Sequence, residues 1–204
     1  MIHLFSGSLR NKQQIELLRI GMQALELLLG RRSQPRLETP PPSGKVLDNI
    51  IQAGLAAPDH KCLTPWRFVI CQGKGLDKLG EIFQQAAINN DREQATVERA
   101  IQLPHRAPMV LVAICNYTQD EKVPRVEQIA STSCAVQSMQ MAAVAQGFQG
   151  IWRTGWYAKD SYVKEMLKCK DEDEIVGFLY LGSSKLKNMK RPTRDAAMFV
   201  EHWD

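Results

Sequence analysis

Three short stretches hold residue types that could do chemistry. The first is Arg31-Arg32-Ser33, with Arg36 close behind, set directly after the apolar run Met22–Leu29 and Gly30. Guanidinium groups beside a hydroxyl are charge-assisted donors for an anion such as a phosphate monoester. The same cations also suit a helix C-terminus, where the macrodipole favours positive charge and Gly30 is placed to supply a left-handed turn. The second is APDHKCLTPWRF, Ala57–Phe68, in which His60 and Thr64 offer polar edges and Pro65 and Trp66 offer apolar surface. The third is GFQGIWRTGWY, Gly147–Tyr157, read as a glycine-released turn that presents Trp152, Arg153 and Thr154. Brought together, these groups supply cations and hydroxyls for a phosphate, polar edges and flat apolar surfaces for a ring. That inventory suits a flavin mononucleotide (FMN); dispersed over a surface it would do nothing.

The elements that must position these stretches are legible in the hydrophobic pattern. Met22–Leu29 reads as a helix, preceded by an amphipathic segment, Lys12–Ile20. A proline-rich connection leads to a helix from about Gly44 to Ala56, with Ile50, Ile51 and Leu55 inward, ended by Pro58. WRFVICQG (Trp66–Gly73) has strand composition, and Ala107–Tyr117 is a continuous apolar run expected to be a strand covered on both faces. Between them lies a helical stretch, Leu76–Leu103, broken near INND, and Glu174–Gly182 reads as a third strong strand. Glu127–Phe148 is a long helix with Ala, Ser, Cys and Met on nearly all faces and no charge after Glu127. Such a helix must be wrapped by protein, either as a core helix or as a subunit seam.

Composition excludes several classes. The chain has 204 residues, 44% hydrophobic and 24% charged, enough for one globular domain with a substantial core. A net charge of +4 is too weak a bias to imply nucleic acid, and the basic stretch Lys185–Arg194 lacks interleaved aromatics. Five cysteines with no C-x-x-C spacing read as reduced thiols. No run reaches the length of a membrane span, and the first residues are too polar for a signal peptide, so a cytoplasmic protein is expected. His3, His60, His105 and His202 are too dispersed for a metal cluster, and no metal site is expected. GKGLDKLG has the wrong spacing for a dinucleotide fingerprint, and there is no P-loop, H-E-x-x-H or G-x-S-x-G.

Five blocks, LELLLGRRSQPR, AGLAAPDHKCLTPWRFVI, KVPRVEQ, CAVQSMQMAAVAQGFQGIWRTG and IVGFLYLGS, resemble in order and spacing the small bacterial members of the nitroreductase family. The likeness runs from about Met22 to Ser184. It implies an α+β fold with a central, mostly antiparallel sheet flanked by helices, with residues 1–21 an N-terminal extension and 22–204 a single domain. It also implies a homodimer with FMN in two sites at the subunit interface. Carried over by resemblance, the cofactor contacts are Arg31, Arg32, Ser33, His60, Trp152, Arg153 and Thr154, the last standing where such relatives have serine. The chain departs from the pattern at Ala56, where relatives can carry an arginine reaching across the dimer, and at Cys62, where larger ones carry an asparagine.

The activity implied is oxidation of NAD(P)H with reduction of a nitroaromatic, quinone or related acceptor, by a ping-pong exchange in one site. The flavin carries the chemistry, so no acid–base side chain is nominated. A flavin-binding or regulatory protein with little turnover, and a dehydrogenase or dehalogenase on the same scaffold, are the alternatives, because fold does not fix substrate.

Overall fold

Two apolar strands at the centre organise the molecule. In a computed structural model that describes residues 24–186 and 194–203, every residue of β2 (Met109–Cys115) is buried, as is β4 (Glu174–Gly182) from Ile175 onward. Strands buried on both faces need cover on both, and the edge strands β1 (Trp66–Cys71) and β3 (Gln149–Arg153) complete an antiparallel sheet of order β1-β2-β4-β3. Side chains alternate across a strand, so β2 feeds two cores. Val110, Val112 and Ile114 pack with Phe178 and Tyr180 against Leu79, Ile82 and Phe83 of α3 (Lys74–Asn89). Met109, Leu111 and Ala113 pack with Leu179 and Leu181 against Ile50 of α2 (Gly44–Leu55) and Val136 and Met139 of α5 (Arg125–Ala145). Each such Leu, Ile or Phe contributes about 1.5–3 kcal/mol by leaving water.

The expected helix break near INND is present: α3 ends at Asn89 and α4 (Gln94–Ala100) begins four residues past Asn90. A helix over 24–30, here α1, ends at Gly30. The segment Lys12–Ile20, the beginning of the Met22 helix and most of Lys185–Arg194 lie outside the described residues. None of the described helices is long and apolar enough to cross a membrane.

Two elements differ from the sequence reading. Gln149–Arg153, read as part of a turn, is the edge strand β3, paired to β4 from Gln149↔Gly182 to Arg153↔Phe178. Its glycine disguised it, and Gly150 is required where it stands: a Cβ there would lie 2.9 Å from the Tyr180 carbonyl oxygen and from Leu181. A short helix, α6 (Ser161–Met166), has no counterpart in the reading. It is capped by Asp160, whose carboxylate accepts from the Val163 N–H at 3.0 Å, the usual role of an aspartate at that position.

Candidate functional site

The edge strand β3 joins two of the three stretches. At its start, Ser33 forms a parallel bridge with Gly150, and the Gln34 N–H donates to the Gly150 carbonyl at 3.1 Å. The buried Gln140 side chain of α5 donates to the same oxygen at 2.9 Å. Four residues on, Glu38 and Ser183 exchange both backbone hydrogen bonds at 2.8 Å. The loop after α1 is therefore stitched to the sheet at two points, which fixes where Arg31, Arg32 and Ser33 stand.

The expected left-handed turn at Gly30 is not there. Gly30 remains inside the helix and has no positive φ. The helix end is closed by Arg32, whose Nη1 donates to the carbonyls of Leu29 at 2.8 Å and Arg31 at 2.7 Å. Arg31 Nη1 lies 3.4 Å from the Ser33 hydroxyl. A side-chain cap replaces a glycine cap, and it holds the cation beside the hydroxyl.

At the other end of β3 the alternation of the strand sends Trp152 and Arg153 to opposite faces. Trp152 packs on the α5 side and donates from Nε1 to the Val176 carbonyl at 3.3 Å. Gly177, at φ 154°, makes room for it, since a Cβ there would meet the indole nitrogen at 2.2 Å. Arg153 turns to the α3 side, its guanidinium 5.9 Å from the centre of the Tyr180 ring. Its Nε is buried and has no hydrogen-bond partner among the described residues.

Arg153 borders a cavity of about 410 Å³ walled by Phe83, Tyr157, Phe178 and Tyr180, with Arg106 as a second cation. The wall is rigid: Phe83 stacks on Tyr157 with centroids 4.4 Å apart and meets Phe178 edge-on at 5.1 Å, both favourable arrangements. Among the described residues no carboxylate lines it. Burial pushes the Tyr180 hydroxyl up to about 12 against the opposing pull of Arg153 and Arg106, so the phenol stays protonated. A second cavity, about 590 Å³, lies on the α5 side, where Ile129 and Ser133 face Trp152, Thr154 and Glu174. Trp152 and Thr154 border both.

His60 stands elsewhere. Its loop is built on Asp59, whose carboxylate accepts from the N–H groups of Leu63 at 3.1 Å and Thr64 at 2.7 Å. Lys61, Cys62 and Thr64 all take positive φ values, 60°, 53° and 48°, a concentration of uncommon backbone that must be held from outside. Lys61 pairs with Asp120, and the His60 Nδ1 lies 2.9 Å from Glu127 Oε2 at the start of α5. His60 borders neither cavity beside β3. Cys62 and Ala56 are exposed.

Within one chain, β3 is bridged at Gly150 to Ser33 and carries Trp152 and Arg153 at its far end, while Arg31, Arg32 and Ser33, like His60, border neither cavity. Sequence reasoning missed Arg106, Tyr157 and Tyr180. Tyr180 carried a usable signal, being the one polar-tipped ring in the apolar run IVGFLYLG; Arg106, in PHRAP, carried none.

A four-stranded antiparallel sheet with helices on both faces and a ligand-sized cavity along one edge strand is the nitroreductase-like α+β class. Residues 28–183 match the model of the nitroreductase family, and the chain belongs to that family. It is 46% identical over 166 residues to YdjA of Escherichia coli K12, provisionally named an NAD(P)H nitroreductase, covering 81% of this chain and 91% of that one. A protein of Haemophilus influenzae with the same provisional name is 33% identical over 167 residues, again 81% and 91%. Among solved structures, a nitroreductase-like family protein from Bacillus cereus superimposes with a TM-score of 0.78 at 21% identity, covering 88% of this chain and 95% of that one. A Bacteroides fragilis nitroreductase with bound FMN gives 0.69 at 22%, covering 88% and 98%.

Proposed function

We propose that the chain is an FMN-dependent oxidoreductase that takes electrons from NAD(P)H and passes them to nitroaromatic, quinone or related acceptors, working as a cytoplasmic homodimer. One observation carries this reading: the buried, unpartnered Nε of Arg153 in an aromatic-walled cavity. A buried donor left unmade costs about 1–3 kcal/mol, which a structure sustains where a ligand completes the bond. The cavity's 410 Å³ falls within the roughly 300–1,000 Å³ of small-molecule sites.

The residues present fit the cofactor. Arg31, Arg32 and Ser33 would hold the phosphate. Arg106 and Arg153 would give donors to the polar edge of the ring, and Trp152, Thr154 and the Tyr157–Phe83 stack would bound it. FMN, when bound, supplies the centre that accepts and returns hydride. The chain's own work is to bind, orient and leave one face open, so that donor and acceptor occupy the same place in turn. His60, remote from β3 within its own chain, would reach the cofactor across the seam of a dimer. FMN in the Bacteroides fragilis relative and NAD+ in the NADPH:FMN oxidoreductase of Vibrio harveyi support the assignment of both molecules.

The visible spectrum of the purified protein, followed by steady-state NADPH oxidation with a quinone, tests the reading. Stoichiometric FMN and parallel double-reciprocal lines are expected. A colourless protein that takes up no added FMN sinks it.

A further inference from the structure

A third cavity lies away from β3, at the opposite edge of the sheet. It measures about 320 Å³ and sits between β1, α3 and the end of α6. Leu79, Ile82 and Leu167 supply buried apolar walls, while Arg67, Lys78 and Lys168 contribute three cations and, among the described residues, no acidic side chain lines it. Arg67 is anchored: its Nη2 donates to the carbonyls of Leu167 at 2.8 Å and Lys168 at 3.2 Å. Lys78 and Lys168 are exposed and pair with no described carboxylate. A cleft with low-dielectric walls and charges of one sign concentrates counter-ions of the other, and a fixed guanidinium suits a carboxylate better than a mobile ammonium does.

We propose that this cavity binds a straight-chain monocarboxylate of medium length, with the tail along Val69, Ile70 and Met166 above the buried Leu79, Ile82 and Leu167, and the carboxylate on Arg67, Lys78 and Lys168. Neither the cofactor nor the electron donor is involved, so the site stands or falls apart from the proposed activity. A cationic rim alone would bind any anion weakly. The apolar lining adds a dependence on chain length, up to about fourfold in affinity for each methylene buried, until the space is filled.

Calorimetric titration of the full chain as purified, with hexanoate, octanoate and decanoate below their micellar ranges, reads this directly. Affinity is expected to climb along the series, with decanol binding at least roughly tenfold more weakly than decanoate for want of the charge. The double variant Lys78→Ala, Lys168→Gly should lose roughly tenfold or more for decanoate. Gly75→Leu should abolish binding by filling the space. A Cβ at Gly75 meets only the Cys71 Cβ, at an ordinary 3.7 Å, so the variant is expected to fold, and its melting transition and flavin content check that it has. Absence of binding in the parent, affinities independent of chain length, or parent-like binding in folded Gly75→Leu would each overturn the site.

Discussion

Arg32 answers for two readings of one cluster. Its guanidinium closes α1 through the Leu29 and Arg31 carbonyls, and the same charge sits beside Arg31 and Ser33 on the loop stitched to β3. The two roles separate by mutation. Arg31→Ala should weaken FMN binding by about 1.5–3 kcal/mol, the worth of a hydrogen bond to a charged group, or roughly tenfold to a hundredfold, with little change in melting. Arg32→Ala should weaken it similarly and also destabilise the fold. Fluorescence titration with FMN beside a thermal melt checks both, and unchanged FMN affinity in both variants would leave capping as the sole role. Arg153 gives a second prediction, of opposite sign in the two readouts. Arg153→Met removes a donor that is buried without a partner, so the flavin-free protein should melt no lower than the parent, while FMN affinity falls at least tenfold. A parent-like affinity would remove Arg153 from the site. At this scale the seven expected contacts came from the resemblance to the family; what was legible locally was a set of arginines, a histidine and a tryptophan that stand out against apolar surroundings. Arg106 was not, since nothing local distinguishes a cation before a strand from a solvated one.

At the scale of elements, length and pattern decided what could be read. The strand Glu174–Gly182 matches its expected bounds, and the continuous apolar run around β2 could only be central, because an all-apolar strand needs cover on both faces. β3 escaped because its periodicity is short and carries Gly150, yet the glycine marks the close approach of Tyr180 and Leu181. α6, at six residues, is below the length at which periodicity says anything. The loop that carries His60 yields the prediction for this level. The Lys61 hydrogen bond, helped by the Lys122 N–H, holds Asp120 below its ordinary value of 3.8. A lowered folded value means that the clamp contributes fully above 3.8 and is lost as pH falls through the folded value. Asp120→Asn should therefore speed hydrogen exchange of the amides at Cys62–Thr64 near pH 7, and the difference between parent and variant should narrow in acid, as pH falls through the folded value. Exchange that is equal at both pH values would mean that Asp59 alone shapes the loop.

For the whole molecule the question is what covers α5. The sequence left core helix and subunit seam open, and the structure gives the helix one face buried in the chain's own core and one exposed face. Ala135, Met139 and Ala143 are buried in the chain's own core, while Val126, Ala130, Cys134, Gln137 and Ala145 form an uncharged ridge facing outward. Val126 on α5 is 69% exposed, and on α1 Leu25 and Leu28 are each 58% exposed. His60 and Glu127 stand at the start of this ridge, from which His60 would reach the partner's site in the proposed dimer. An obligate interface buries about 2,000 Å² or more, and ligand bound only by the assembled form ties its own loss to dissociation. Ala130→Glu is the discriminating change. Its side chain lies on the outward ridge, so the monomer's core stays intact, whereas Ala142 packs against that core and a charge there would confuse misfolding with dissociation. Light scattering and flavin absorbance, measured together on dilution, should show Ala130→Glu shifting to monomer and losing FMN in step, with an unchanged far-ultraviolet circular dichroism spectrum. A stable monomer that keeps stoichiometric FMN would separate the seam from the site and return His60 to a purely structural part in its own loop.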